Sequence, residues 1–419
     1  MFRLTVNYGG SEVRALLAVS VLMLSSIQSC GMAWADAGTG SAEELERARQ
    51  AGDLPEQRAH LWRVLAQVTA LDPSLQEPVF QSWYGEQEIF SVGEIGRPVL
   101  GIRGFHHPSG ASSLDSTSAE APLLTYTLYN GPAYDHIRRT RLFAARDLEV
   151  LRTNPWGKPR FADAPEVPAF PVESVIMKSV WWPIAHNRST AVPVWDPEIN
   201  PARTGGNGYM TWKRVVWVEP SPVARSRRRA HSLSPANTVP LQRLYHVVVD
   251  QTLAKRVMND SGGRKVAAIA LGREIRPGDY LALVAVNLAT RELPHWIWGA
   301  LWWHDKPSRG DFGMDRPVEV RGVWRNYLMQ VSFDSKAPAE PNGTPHICFN
   351  PWLEGRFPDG GKGGGTVSNC LSCHERASYP SVDFLPVTRD SGSRGSDPAF
   401  DVGRLRTSFL WGLPMHAVH

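Results

Sequence analysis

Two thiols and an imidazole fall within five residues near the end of the chain, in Cys370-Leu371-Ser372-Cys373-His374. In a helical turn, positions i and i+3 share a face, so both sulfurs can meet one planar ligand from the same side. The imidazole follows directly, close to that face. Two thiols for the vinyl groups of a porphyrin and one imidazole for its iron are the requirements of covalent c-type haem attachment. The motif therefore implies one haem c, held through Cys370 and Cys373, with His374 as the proximal iron ligand. Other uses of the thiols fit less well. A structural zinc site needs two further Cys or His ligands at paired spacing. A thioredoxin-like pair opens a helix behind a β-strand, whereas Gly363, Gly364 and Gly365 run up to this motif. Thr366 or Ser368 is placed to cap the short helix, and Pro380 marks its end.

The chain has four cysteines, Cys30, Cys348, Cys370 and Cys373. If haem takes two and Cys30 leaves with an export signal, Cys348 has no disulfide partner and is expected as a buried apolar residue. The sixth iron ligand is open. Met415, in Leu413-Pro414-Met415-His416, is the only methionine after His374, and a thioether ligand would raise the reduction potential. His416 and His419 compete with it, as do His186, His295, His304 and His346.

The first 35 residues have the layout of a secretory signal. Arg3 and Arg14 give a positive front, residues 15–27 are apolar but short for a bilayer span, and Ala33-Trp34-Ala35 offers small residues before a cut ahead of Asp36. A second reading takes Ile27-Gln28-Ser29-Cys30 as a lipid-attachment box. Both export the chain, the first to the periplasm and the second to the outer membrane as a lipoprotein, with lipid on Cys30 as the only tie to a membrane. A net charge of +4 over 419 residues gives no basis for nucleic-acid binding. Arg225, Arg227, Arg228 and Arg229 form a local basic run, read either as a solvated loop or as a docking patch for an acidic partner.

Elements that must position the motif can be read from periodicity. Residues 42–71 look helical, with Leu61, Val64, Leu65 and Val68 on one stripe. Phe80, Trp83, Tyr84 and Phe90 make an aromatic segment, and residues 109–121 read as loop. Strand patterns follow over 175–182, 209–218, 244–249, 280–287, 296–302 and 318–333, separated by Gly and Pro clusters, with little helix expected between them. The expected fold is α+β: a large, mainly antiparallel, sandwich-like β domain with an N-terminal helical segment and a small C-terminal helical haem segment. The domain map is 1–35 signal, 36–110 helical and aromatic segment, 111–345 Trp-rich β domain and 346–419 haem-binding segment. Within the β domain, His295 and His304 bracket Trp296, Trp298, Trp302 and Trp303. That segment reads either as sheet core or as a wall facing the haem. No phosphate loop, zinc-protease helix or nucleophile elbow is present in the sequence.

The approach to the motif, Phe349-Asn350-Pro351-Trp352-Leu353-Glu354, together with the motif itself, resembles a largely uncharacterised family of exported bacterial monohaem c-type cytochromes. Phe80-Gln81-Ser82-Trp83-Tyr84, Pro294-His295-Trp296-Ile297-Trp298 and Ser408-Phe409-Leu410-Trp411 are similar to its other aromatic motifs. The resemblance touches about three-quarters of the chain after the signal. It implies covalent haem, export and a redox role, and supplies no substrate; one C-x-x-C-H on an exported chain without other catalytic motifs makes single-electron transfer with redox protein partners the leading expectation. Two alternatives stay open. The large domain ahead of the haem segment suits a haem enzyme with an open iron position, peroxidase- or oxidase-like, or a β-domain binding module to which a haem segment is attached.

Overall fold

A computed structural model describes residues 40–93, 101–102, 121–153, 165–196, 208–220, 237–308, 310–335, 346–355, 369–381 and 403–418. The export signal, Cys30, the basic run at 225–229, the loop at 109–120 and the glycines before the motif lie outside these residues.

The N-terminal helical segment divides in two, α1 (Ala42–Ala51) and α2 (Leu54–Val68). Gly52 adopts φ 63° and ends α1, and Asp53 then caps α2 by accepting from the Glu56 N–H at 3.2 Å. Leu71, expected as helix, lies in β1 (Leu71–Asp72), which pairs with β2 (Glu77–Pro78). Next come β3 (Tyr84–Gly85), α3 (Glu86–Ile89), β4 (Thr125–Tyr129), α4 (Gly131–Arg139), α5 (Ala145–Thr153) and β5 (Val175–Ile184). They are followed by β6 (Thr190–Pro193), β7 (Val215–Glu219), β8 (Thr238–Pro240), β9 (His246–Val248), α6 (Gln251–Asn259) and α7 (Ser261–Leu271). The long strands β10 (Tyr280–Thr290), β11 (Ile297–Trp303) and β12 (Tyr327–Ser332) complete the sheet. The C-terminal part holds α8 (Cys370–His374), β13 (Ser378–Tyr379), β14 (Leu405–Arg406) and α9 (Gly412–His416).

The class is α+β with a mainly β core, as the sequence implies. One seven-stranded sheet runs in the order β12-β11-β10-β5-β4-β3, with β9 also paired to β10. Every pair in it is antiparallel. The second sheet has only three strands, β6-β7-β8, and its β7–β8 pair is parallel.

Helix content in this region is higher than expected. Asn130, Asp250 and Asp260 each cap a helix, accepting from the N–H of Ala133, Leu253 and Gly263. Two strand expectations shorten as well. Residues 208–211 and 322–326 turn as 3₁₀ helices, leaving only β7 and β12 as strand. No helix among the described residues is long and apolar enough to cross a membrane.

The two faces of β11 do different work. Gly299 faces α2 so closely that a Cβ there would meet the Leu61 side chain at 1.8 Å. On the opposite face, Trp298 pairs across the sheet with Ala289, Ala289 with Ile176, and Ile176 with Tyr129. That row is the floor of an apolar cluster containing Leu371 of α8 and Leu413 of α9. Gly412 lets α9 sit on this floor, since a Cβ would meet the Tyr129 hydroxyl at 2.7 Å.

Candidate functional site

A single helical turn cannot hold itself, so contacts from outside must fix α8. Asn369 supplies its cap, accepting at Oδ1 from the Ser372 N–H at 3.1 Å. The same side chain donates from Nδ2 to the carbonyls of Asp334 and Ser335, just beyond β12, at 3.1 and 3.2 Å. The sequence reading placed the cap at Thr366 or Ser368; both lie outside the described residues, and Asn369 fills the role.

The segment ahead of the motif is tied to the same sheet. Asn350, fully buried, donates from Nδ2 to the Val286 and Leu301 carbonyls at 3.2 Å and to Asn287 Oδ1 at 2.9 Å. Phe349 N–H donates to Gln330 Oε1 at 3.0 Å, and Glu354 accepts from Asn287 Nδ2 at 2.7 Å. Sequence reading gave these polar residues no role. Cross-strand register explains them, since Gln330, Ala300 and Asn287 lie in one row beneath Asn350.

His374 is the chemical centre of the site. Its Nδ1 lies 2.8 Å from the Phe409 carbonyl oxygen. A carbonyl only accepts, so Nδ1 carries the proton and Nε2 keeps its lone pair. A metal-binding histidine needs this arrangement, in which one nitrogen is fixed by a carbonyl and the other is a ligand. Burial pushes the imidazole down to about 4, with the Phe409 carbonyl opposing and Lys178 adding to the fall. The ring is therefore neutral near pH 7. Trp298 lies against it, with ring centroids 3.9 Å apart and planes 31° apart. This contact is on the ring face, away from the in-plane lone pair.

The backbone that aims the Phe409 carbonyl is unusual. Ser408 and Phe409 have φ of 49° and 67°, and Trp296 has φ of 63°. These are three of the six left-handed non-glycine residues among those described, and such residues gather where function over-determines the chain. Thr407 stabilises the turn through bonds to Leu410, and Trp296 Nε1 reaches Ser408 Oγ at 3.4 Å. Segments 294–298, 369–374 and 408–411, far apart in sequence, thus meet around one imidazole.

Cys370 and Cys373 share α8 with His374, and each is half-buried. Burial raises Cys373 to about 12, against the opposing pull of Arg376 and Trp411. Cys370 is raised by a contact with Cys348 and by burial. Both are therefore protonated thiols near neutral pH. Cys348 is buried as expected, at 1% exposure, but it does have a neighbour: its sulfur lies 3.6 Å from that of Cys370. Counting cysteines could not show this.

The distal candidates scatter. Met415 is half-buried on α9, where Leu413 is the residue that enters the apolar cluster. His295 Nε2 meets the Phe333 carbonyl at 2.7 Å, and His186 Nδ1 meets Asp279 at 2.9 Å. His304 takes the Lys306 N–H on Nδ1 at 2.9 Å. His416 lies 3.8 Å from Glu86, His346 is half-buried, and His419 is outside the described residues. The tryptophans divide between their two readings. Trp298 and Trp296 line the His374 side, while Trp302 packs edge-on to Trp195 and Phe312 in the sheet core.

The donor set fits haem c. It has two thiols on one turn, an imidazole with Nε2 presented, and an aromatic floor. Among the described residues, no group of three or more His, Cys, Asp or Glu side chains is placed to hold a metal ion. Comparison with family models, curated proteins and solved structures returned no match for this chain.

Proposed function

We propose that the chain is an exported c-type cytochrome carrying one covalent haem and passing single electrons between protein partners outside the cytoplasm. The observation that carries this reading is the Phe409 carbonyl on His374 Nδ1, which turns Nε2 into a ligand one residue beyond the second thiol. Cys370 and Cys373 would hold the haem and His374 would ligate its iron; bound there, the haem supplies one-electron exchange. The chain's own contribution is positional and electrostatic. Asn369 and Asn350 fix the two attachment segments on the sheet, Trp298 fixes the imidazole plane, and the apolar row beneath excludes water and lowers the local dielectric. Export rests on the N-terminal signal pattern, with the periplasm as the destination and Cys30 lipidation as the alternative.

The test is acid–acetone extraction of chain made in cells competent in cytochrome c maturation. Haem is expected to stay with the protein, and to be lost in the double variant Cys370→Ser, Cys373→Ser. Haem that is absent from the parent chain, or leaves with the solvent, overturns the reading.

The seven-stranded sheet ahead of the motif is more than a simple carrier needs, and it supports a second reading, a haem enzyme whose iron keeps an open position. A low-spin spectrum unchanged by carbon monoxide removes that reading. A high-spin spectrum that shifts with carbon monoxide supports it.

A further inference from the structure

The third cysteine stands against one attachment thiol for reasons built into the sheet. Cys348 precedes Phe349 and Asn350, which are tied to Gln330 of β12 and to the carbonyls of β10 and β11. Cys370 follows Asn369, which is tied to Asp334 and Ser335 at the end of β12. The two segments therefore reach the same strand from separate parts of the chain, and their sulfurs meet at 3.6 Å. The Cys370 thiol also points at the Cys348 carbonyl, 3.7 Å away. A disulfide needs sulfurs about 2.05 Å apart, so the pair has to close by about 1.5 Å from its 3.6 Å separation.

We infer that Cys348 and Cys370 join as a disulfide whenever the exported chain lacks haem, giving Cys370 two mutually exclusive covalent partners. The oxidant is a disulfide, R–S–S–R, of the kind that oxidises thiols outside the cytoplasm. Half-buried Cys370 is the entry point, and Cys348, at 1% exposure, is not. The Cys370 sulfur gives up its proton and attacks one sulfur of R–S–S–R, which releases R–SH and leaves a mixed disulfide. The Cys348 sulfur then gives up its proton and attacks Cys370 Sγ, releasing the second R–SH. Two S–H bonds and one S–S bond become one new S–S bond and two R–SH, and two electrons pass from the cysteines to the oxidant. Cys373, on the same turn, is left as a thiol. A dithiol reductant reverses the sequence and frees Cys370.

Disulfide formation itself does not depend on the haem reading; only its exclusion by a bound haem does. The experiment uses full-length chain made without haem maturation, reduced, then incubated with oxidised glutathione, alkylated and mapped by mass spectrometry. A Cys348–Cys370 cross-linked peptide with Cys373 alkylated is the expected result. A Cys370–Cys373 link, or Cys348, Cys370 and Cys373 all found alkylated, overturns the inference. In parallel, chain from maturation-competent cells is denatured and alkylated. If it carries covalent haem, Cys348 is expected to be fully alkylated, and a Cys348 blocked by Cys370 in that material contradicts the exclusion. If it carries no haem the cytochrome reading fails, while the oxidation experiment still decides the disulfide.

Discussion

Two histidines, His304 buried and His374 half-buried, lie toward opposite ends of β11, and near neutral pH both are uncharged. His374 packs on Trp298 at one end; His304 follows Trp303 at the other. Burial lowers each to about 4. Titration alone would rank them equal as functional sites, but their hydrogen bonds separate them. His304 accepts the Lys306 N–H on Nδ1 at 2.9 Å, and its Nε2 lies 3.3 Å from Arg214, which also binds Asp305 through two bonds of 2.7 and 2.6 Å. A neutral ring that accepts on Nδ1 carries its proton on Nε2, and the Arg214 guanidinium, itself only a donor, lies across that nitrogen and covers it. His374 gives Nδ1 to a carbonyl, which leaves the lone pair on Nε2. What sets His374 apart is the combination of that nitrogen with two thiols on the same helical turn.

The largest effect should come from breaking the His304 end. Arg214→Met removes the cation between Asp305 and Asp196, whose side chains are 6% and 1% exposed. Removing the cation from beside two buried carboxylates puts the expected loss at about 3–5 kcal/mol, read by urea unfolding. Haem content per folded chain should not change. A loss below about 1 kcal/mol would mean that this network is not structural, and the contrast between the two ends would fail.

How much of this was legible in the sequence follows from where the information sits. Cys370, Cys373 and His374 were readable because their chemistry is local, within five residues. The strands β5, β10 and β11 were readable because long apolar and Trp-rich runs make few other structures. Four helices in the β region were missed although Asn130, Asp250 and Asp260 are ordinary caps, because β-branched and Trp-rich neighbours outweighed one-residue signals. The Gly52 break in the first helix is a one-residue signal of the same kind. The Phe409 carbonyl had no sequence signal, being a backbone atom aimed by two left-handed residues. The meeting of Cys348 with Cys370 depends on strand register across the sheet, which cysteine spacing does not encode.

A pH experiment sharpens the comparison with a smaller effect. His304 has a folded value near 4 and an unfolded value near 6.5, so the unfolded chain takes up its proton first as pH falls. The stability contributed by the neutral ring is complete above about pH 6.5 and is lost as pH falls toward 4, at up to about 1.4 kcal/mol per pH unit. His304→Gln should flatten the stability profile between pH 4.5 and 6.5 by up to one proton relative to the parent. Because other carboxylates and histidines titrate in both chains, the difference between the two profiles is the quantity to read. Equal slopes would show that His304 is not held neutral by its surroundings.

The smallest effect is expected at the chemically richer histidine. In chain prepared without haem, His374 makes one neutral hydrogen bond to a backbone carbonyl and one ring contact with Trp298. Glutamine can still donate an N–H to the Phe409 oxygen, so His374→Gln should cost no more than about 1 kcal/mol in urea unfolding, the full worth of one net hydrogen bond. In chain carrying covalent haem, the same substitution should change the absorption spectrum of the iron, because the proximal nitrogen is gone. Restoration of the parent spectrum by added imidazole would show that the nitrogen, not the side-chain volume, is what the site requires. A loss of 3 kcal/mol or more in the haem-free chain would instead make His374 a structural residue like His304, and would remove the physical ground for assigning its Nε2 to a ligand.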